Sequence, residues 1–141
     1  MNYATEYTDK VLSGEIVAGK KIKQAARRYR RDLKASKRKK NPWPYYFDED
    51  FANKAVEFIE LMPARDGSPL KLELFQKYLI SELFGWRDKE TGNRRYDRAY
   101  ISMARKNGKS FLMADLGALY LLMENKPAMN REIVYLSLIH I

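Results

Sequence analysis

Apolar residues recur at helical spacing in four stretches of the chain. The pattern predicts amphipathic helices over residues 21–35 and 51–62, each with one buried stripe. It also predicts a well-buried helix over residues 70–83, which is apolar on more than one side, and a last helix over residues 111–123. The stripe of the first helix consists of Ile22, Ala25, Ala26, Tyr29 and Leu33.

Two apolar runs flank the last of these helices. Residues 99–103 and 132–136 have strand-like composition, and a helix between two strands indicates a parallel βαβ unit. Upstream, residues 90–93 have the composition of a hairpin turn between arms at 86–89 and 95–98. We therefore expect an α/β fold in which a helical amino-terminal region leads into a βαβ unit.

Three consecutive acids, Asp48, Glu49 and Asp50, directly precede the second helix. They could belong to a metal site or cap the helix. Acids at the start of a helix bind its free N–H groups and complement its dipole. Capping is the favoured interpretation.

An aromatic cluster formed by Trp43, Tyr45 and Tyr46 follows a basic, proline-containing linker over residues 36–44. Aromatic side chains beside basic residues can stack on single-stranded nucleic acid. Such a cluster beside prolines is more often part of a local core, which is the interpretation we favour.

Composition excludes several classes of site. The chain of 141 residues has no cysteine, so it forms neither a disulfide nor a zinc–thiolate site. Its one histidine, His140, lies next to the last residue and is a poor anchor for a catalytic triad. The longest apolar stretch, residues 116–123, is too short to span a bilayer, so no membrane partner is expected.

The positive charge is concentrated at the amino terminus. Residues 1–41 hold 13 Lys and Arg against 4 Asp and Glu, whereas residues 42–141 hold 14 of each. Such asymmetry indicates an acidic partner, most simply DNA or RNA, although a solvated helix face without a dedicated partner would look the same. The candidate contact residues are Lys20, Lys23, Arg27, Arg30, Arg31, Lys34, Lys37, Arg38, Lys39 and Lys40.

The segment Met103–Ser110, with the sequence MARKNGKS, lies between the predicted strand 99–103 and the predicted helix 111–123. A strand, a tight turn ending in Gly-Lys-Ser and a helix form the arrangement that binds nucleotide phosphates. Gly108 would let the backbone approach the phosphate, Lys109 would contact the β/γ oxygens, and the Ser110 hydroxyl would bind Mg²⁺. Met103 occupies the position of the usual first glycine, so the motif departs from the common pattern.

This departure resembles the phosphate loop of the large terminase subunit of tailed bacteriophages, the ATP-driven motor and endonuclease that packages viral DNA. Similarity extends upstream to Pro69–Gln76, with Leu83–Trp86 after it, and to the opening run Asp9–Lys20. The resemblance covers most of residues 1–135, and its most specific part is the loop.

The resemblance implies the cofactors ATP and Mg²⁺ and a set of site residues. Gln76 would recognise adenine, although a helical glutamine that meets solvent is the simpler alternative. Arg105 would stabilise transition-state charge or sense the nucleotide, Lys106 would be an electrostatic accessory, and Lys106 and Asn107 would join Gly108, Lys109 and Ser110 around the phosphates. Arg105 and Lys106 could also be ordinary surface charges.

The expected fold is the first βαβ unit of a P-loop NTPase domain of the RecA-like (ASCE) class, truncated before its later strands. The acid that holds Mg²⁺ and the glutamate that orients water would lie downstream, as would the nuclease. We expect residues 1–41 to form a basic helical segment and residues 42–141 to begin the ATPase domain. Residues 137–141 do not continue the family pattern and look like read-through of foreign sequence.

The sequence is compatible with two functions. The first is the amino-terminal part of a terminase large subunit, inactive alone, whose parent hydrolyses ATP in the host cytoplasm. The resemblance implies double-stranded DNA, a small terminase subunit and a portal protein as partners, with a homo-oligomeric ring as the working form. The second is a basic helical module that binds DNA or protein and hydrolyses nothing.

Overall fold

The computed structural model describes residues 1–64, 66–104 and 109–123. Within these residues it has five helices and two short strands. They are α1 (Tyr3–Ser13), α2 (Lys20–Ser36), β1 (Tyr45–Phe47), α3 (Glu49–Glu60), α4 (Leu74–Gly85), β2 (Trp86–Asp88) and α5 (Lys109–Met123). The chain divides into two compact units, residues 1–102 and 103–141. The division predicted after residue 41 lies where the excess of positive charge ends, whereas the division after residue 102 separates two parts of the chain that are each compact.

Helix α1 is absent from the sequence-based prediction. Its amino end is capped by Asn2, whose Oδ1 accepts a hydrogen bond from the Thr5 N–H at 3.0 Å. Its carboxyl end is Gly14, which has φ of 86° in the left-handed region that glycine tolerates. The helix packs against α2 and α4. The caps are therefore the sequence signal that could have located it.

Helix α2 confirms the predicted amphipathic helix, one residue longer at each end. Ala26 and Tyr29 are buried in the main core of the first unit. Ile22, predicted to lie in the buried stripe, is 38% exposed instead. The core cluster consists of Ala4, Tyr7, Val11, Ala26, Tyr29, Tyr78 and Trp86.

Helices α3 and α4 pack against each other. Asp48 is the N-cap of α3, and its Oδ1 accepts a hydrogen bond from the Phe51 N–H at 3.0 Å, which confirms capping. No cluster of acids, histidines or cysteines suited to a metal occurs in the described part of the chain. Helix α4 begins at Leu74 rather than at the predicted residue 70, because Glu73 is its N-cap.

Strands β1 and β2 form an antiparallel two-stranded sheet in which Tyr46 is opposite Arg87. The predicted turn over residues 90–93 is present, with the Asp88 carboxylate accepting hydrogen bonds from the N–H groups of Glu90 and Thr91 at 2.8 and 2.9 Å. After the turn, Arg94 forms a single bridge with Arg87, and the Arg95 N–H donates to the Trp86 carbonyl at 3.0 Å, whereas the predicted second arm, residues 95–98, is not a strand. The hairpin prediction thus holds for the turn, and β1 is an unpredicted partner for its first arm.

The predicted strand over residues 99–103 is wrong, since this segment is irregular. A strand exists only where its backbone groups pair with a neighbour. Among the described residues no segment pairs with it. The predicted second strand, residues 132–136, lies outside the described residues.

In the second unit, α5 confirms the helix predicted over residues 111–123 and begins two residues earlier. Its buried residues Leu112, Leu116 and Leu119 recur at helical spacing. None of the described helices meets the length and apolarity that a membrane span requires.

Candidate functional site

The polar face of α2 carries the cations predicted to contact a partner. All six predicted cations of the helix are exposed: Lys20, Lys23, Arg27, Arg30, Arg31 and Lys34. Arg30 donates to the Asp9 carboxylate of α1 at 2.7 Å, with both side chains about half exposed. The linker cations Lys37, Arg38, Lys39 and Lys40 are also exposed and directly follow the helix. The structure therefore brings all ten predicted residues to the surface in one continuous segment.

A shallow groove of about 500 Å³ runs beside this face. Leu12 of α1 and four cations of α2 line it: Arg27, Arg30, Arg31 and Lys34. Charges of one sign around a concave surface raise the local concentration of counter-ions. The groove would therefore favour an anion.

Arg95, which the sequence analysis missed, connects the hairpin to α2. Its Nη1 donates to Asp32 Oδ2 at 2.9 Å, and its guanidinium carbon lies 4.7 Å from the ring centre of Trp43 and 4.8 Å from that of Tyr96. Tyr45 also lies near, at 5.2 Å. Because Asp32 is only 3% exposed, its charge requires such a partner.

The aromatic cluster is a local core, as favoured from the sequence. Trp43 packs edge-on against Tyr45 and Trp86, with ring centres 5.3 and 5.5 Å apart. Tyr46 is 38% exposed on the other side of β1. With Trp43 and Tyr45 packed in the core, no row of free rings remains here for stacking on bases.

Glu82 of α4 is a buried acid near the same cluster, 6% exposed. Burial raises the pKa of its carboxyl to about 7, opposed by the positive charge of Arg28. The Arg28 guanidinium lies 3.8 Å from Glu82 Oε2. A lone acid within a largely apolar helix is the signal that could have drawn attention to it.

Gln76, the predicted adenine-recognising residue, closes the first turn of α4. Its Oε1 accepts a hydrogen bond from the Glu73 N–H at 2.9 Å, as in a capping box. This bond uses the acceptor of the amide and leaves its two N–H donors for other partners. Capping is therefore a structural role that Gln76 already has, and adenine recognition stays a prediction.

The phosphate-loop prediction falls on the boundary of the described residues. Arg105, Lys106, Asn107 and Gly108 lie outside them. The backbone of Lys109 begins α5, and Ser110 follows in its first turn. A helix that starts at the lysine of Gly-Lys-Ser is the placement that a phosphate loop requires.

Asp115 lies further along α5 and is another residue that the sequence analysis missed. It is 7% exposed, and burial raises the pKa of its carboxyl. Its Oδ2 has no hydrogen-bond partner among the described residues.

Residues 74–138 match the family described as the terminase large subunit, ATPase domain. This segment belongs to that family. The resemblance drawn from the loop is therefore confirmed over these residues. No curated protein and no solved structure matches the chain.

The terminase segment begins at the first residue of α4 and includes Gln76, the loop and all of α5. Helices α1, α2 and α3 precede it. The basic face of α2 therefore lies outside the matched segment, although α2 and the first matched helix, α4, belong to the same compact unit.

Proposed function

We propose that this chain is the amino-terminal part of a terminase large subunit, a motor that hydrolyses ATP to package viral DNA into procapsids. The observation that carries the proposal is the family match over residues 74–138, which contains the sequence RKNGKS directly at the start of α5. The fold proposed for this segment is a P-loop NTPase.

The proposed site uses the backbone N–H groups at the start of α5 to bind phosphate, since four of them have no partner within a helix and its dipole favours an anion. Lys109 contributes a charge to the β/γ-phosphates, and Ser110 is the proposed ligand of Mg²⁺. Mg²⁺ neutralises charge that develops on the transferred phosphoryl group. Arg105 is proposed to act on the γ-phosphate within the same chain.

The remaining parts of the proposal follow from membership of the terminase family. Double-stranded DNA is the substrate that the motor moves. A small terminase subunit and a portal protein are proposed partners, and a ring of identical subunits in the host cytoplasm is the proposed working form. The competing function, a basic binding module without ATPase activity, is supported by the exposed cations of α2 but gives no reason for the family match.

The test is Mg-ATP binding by the full-length protein and its Lys109→Ala variant. We expect Lys109→Ala to lose binding, because the phosphate charges lose their cation. Lys54→Ala is the matched control, since Lys54 is exposed on α3, outside the matched segment. Equal ATP binding by wild type and Lys109→Ala would contradict the proposal.

Gln76 requires a variant that separates base recognition from capping. Gln76→Glu keeps an oxygen that can accept from the Glu73 N–H but removes the amide donors, whereas Gln76→Ala removes both. If Gln76 recognises adenine, both variants reduce the preference for ATP over GTP, by roughly three- to tenfold for one lost hydrogen bond. A preference unchanged in both variants would leave Gln76 with its capping role alone.

A further inference from the structure

The cations of α2 occupy one uninterrupted strip along the helix. At about 100° per residue, Lys20, Lys23, Arg27, Arg30, Arg31 and Lys34 fall within an arc of about 100°. No other residue of α2 falls within that arc. From Lys20 to Lys34 the strip is about 21 Å long, at 1.5 Å per residue.

This strip faces away from the residues that α2 buries. Ala26, Tyr29 and Asp32 are the buried residues of the helix; all three fall outside the arc, and Tyr29 and Asp32 lie on the opposite side of the axis. Asp32, the only acid of α2, pairs with Arg95 in the interior and with Arg31. Among the described residues, no carboxylate pairs with Lys20, Lys23, Arg27 or Lys34. Four of the six strip cations therefore have no described carboxylate that neutralises their charge.

The composition of the strip favours a phosphate backbone over a protein surface. Protein interfaces have an apolar or aromatic centre surrounded by a polar rim. Every position of this arc is Lys or Arg, so it offers no such centre. A polyanion contacted through its phosphates needs only cations at regular intervals.

The surroundings favour a duplex over a single strand. Sites for single strands combine cations with rings on which successive bases stack. Tyr29, the aromatic residue of α2, is buried, and Trp43 and Tyr45 are partly buried with their rings packed against the core cluster. A duplex has about one phosphate charge per 1.7 Å, so a strip of about 21 Å faces several phosphates of one groove edge.

We infer that the strip on α2, continued by Lys37–Lys40, is a docking surface for the phosphate backbone of double-stranded DNA. It binds without sequence preference, because it offers no side chain placed to recognise base edges. The inference rests on the proposed function only in naming DNA as the duplex, and it assigns the motor a contact outside the segment that matches the terminase family.

The test is binding of the full chain to a random 24-base-pair duplex, measured by fluorescence anisotropy over a salt titration. The variant Lys23→Gln/Arg27→Gln/Lys34→Gln removes three strip cations that have no carboxylate partner in the described part of the chain. We expect its affinity to fall at least tenfold at about 0.1 M salt. The slope of log affinity against log salt should become shallower by about 2.7, at about 0.9 per phosphate contact.

The matched control, Lys54→Gln/Lys71→Gln/Arg98→Gln, removes the same residue types and charge from exposed positions elsewhere. It should retain at least a third of the wild-type affinity. Circular dichroism confirms that both variants are folded. An equal loss in both variants would overturn the inference, because it would show a response to net charge alone.

Two further outcomes would also overturn the inference. One is tighter binding to the matching single strand than to the duplex, and the other is displacement of the duplex by polyglutamate at equal charge concentration. Nucleotide binding that depends on Lys109 is measured separately. If nucleotide binding depends on Lys109 but the α2 variant binds the duplex as tightly as wild type, the inference fails and the proposed function stands. If nucleotide binding is absent but the α2 variant loses affinity for the duplex, the inference stands and the proposed function fails.

Discussion

At the scale of single residues, Arg95 links one buried acid to an aromatic core. Its pairing with Asp32 and its contacts with Trp43, Tyr45 and Tyr96 hold the hairpin against α2. Cation–π contacts contribute about 0.5–2 kcal/mol each, more where the cation is desolvated. A lysine could supply the charge but not the planar group that lies against several rings.

Glu82 gives a prediction at the same scale. Its pKa is raised from 4.5 to about 7, chiefly by burial, so the folded state keeps a proton that the unfolded state releases between those values. Stability is therefore full below about pH 4.5, falls as pH rises to about 7 and stays lower above it. At 1.36 kcal/mol per pKa unit, the loss is at most about 3 kcal/mol.

The groups that face this carboxyl include Arg28, Asp32, Tyr78, Arg95 and Tyr96. Glu82→Gln keeps the shape without the charge, so we expect it to be more stable than wild type at pH 8 and similar at pH 4.5. Urea unfolding followed by tryptophan fluorescence checks this, since both tryptophans lie in the first unit. Glu57→Gln, at an exposed position of α3, is the control. Parallel pH profiles for wild type and Glu82→Gln would contradict the assignment.

At the scale of elements, Gly85 joins α4 to the sheet. Its carbonyl accepts a hydrogen bond from the Asp48 N–H at 2.7 Å, and a Cβ there would lie 2.5 Å from the ring of Phe47. That ring is held edge-on by Tyr29 and Trp86, with ring centres 5.6 and 5.2 Å away. Glycine suits position 85 because a side chain there would collide with the Phe47 ring, and not because the backbone has a positive φ.

Gly85→Ala should destabilise the first unit by about 1–3 kcal/mol, the usual cost of overpacking a core. Urea unfolding measures it, again by tryptophan fluorescence. Phe47→Leu gives the added methyl room, so the double variant should lose less than the sum of the two single variants. Additive losses would show that the methyl group does not meet Phe47.

The elements also show what the sequence could predict. Helices α2 and α3 were predictable because apolar spacing and the acids before α3 are local signals. Strand β1 has only three residues, and it exists because β2, far along the chain, supplies its hydrogen bonds. The prediction at 99–103 fails for the same reason, since no described segment pairs with it. Strand pairing is a property of two segments, and apolar composition records only one.

The candidate site shows the same limit. The loop at residues 103–110 was recognisable because its residue types carry the chemistry, and the family match includes it. The buried acids Asp32 and Glu82 pair with Arg95 and Arg28, residues far from them in sequence, so spacing gave no indication of these pairs. Gln76 shows a further limit, because a glutamine at this position fits both a helix-capping box and an adenine-recognition motif, and the sequence alone does not separate the two roles.

At the scale of the whole molecule, the chain separates two kinds of chemistry by position. The excess positive charge lies in residues 1–41, and the family match begins at residue 74. In the proposed motor the first region contacts DNA by charge, and the second binds and hydrolyses ATP. This arrangement predicts that the two activities can be removed independently, by substitutions on α2 or at Lys109.

ATP hydrolysis by the full-length protein, with and without double-stranded DNA, for wild type and Lys109→Ala, is the measurement that decides whether the protein is a terminase motor. We expect wild type to hydrolyse ATP faster when DNA is present. Lys109→Ala should lose at least about 100-fold in rate, as when a transition-state contact is removed. Equal rates for wild type and Lys109→Ala, or hydrolysis by neither, would contradict a terminase motor and favour a binding module.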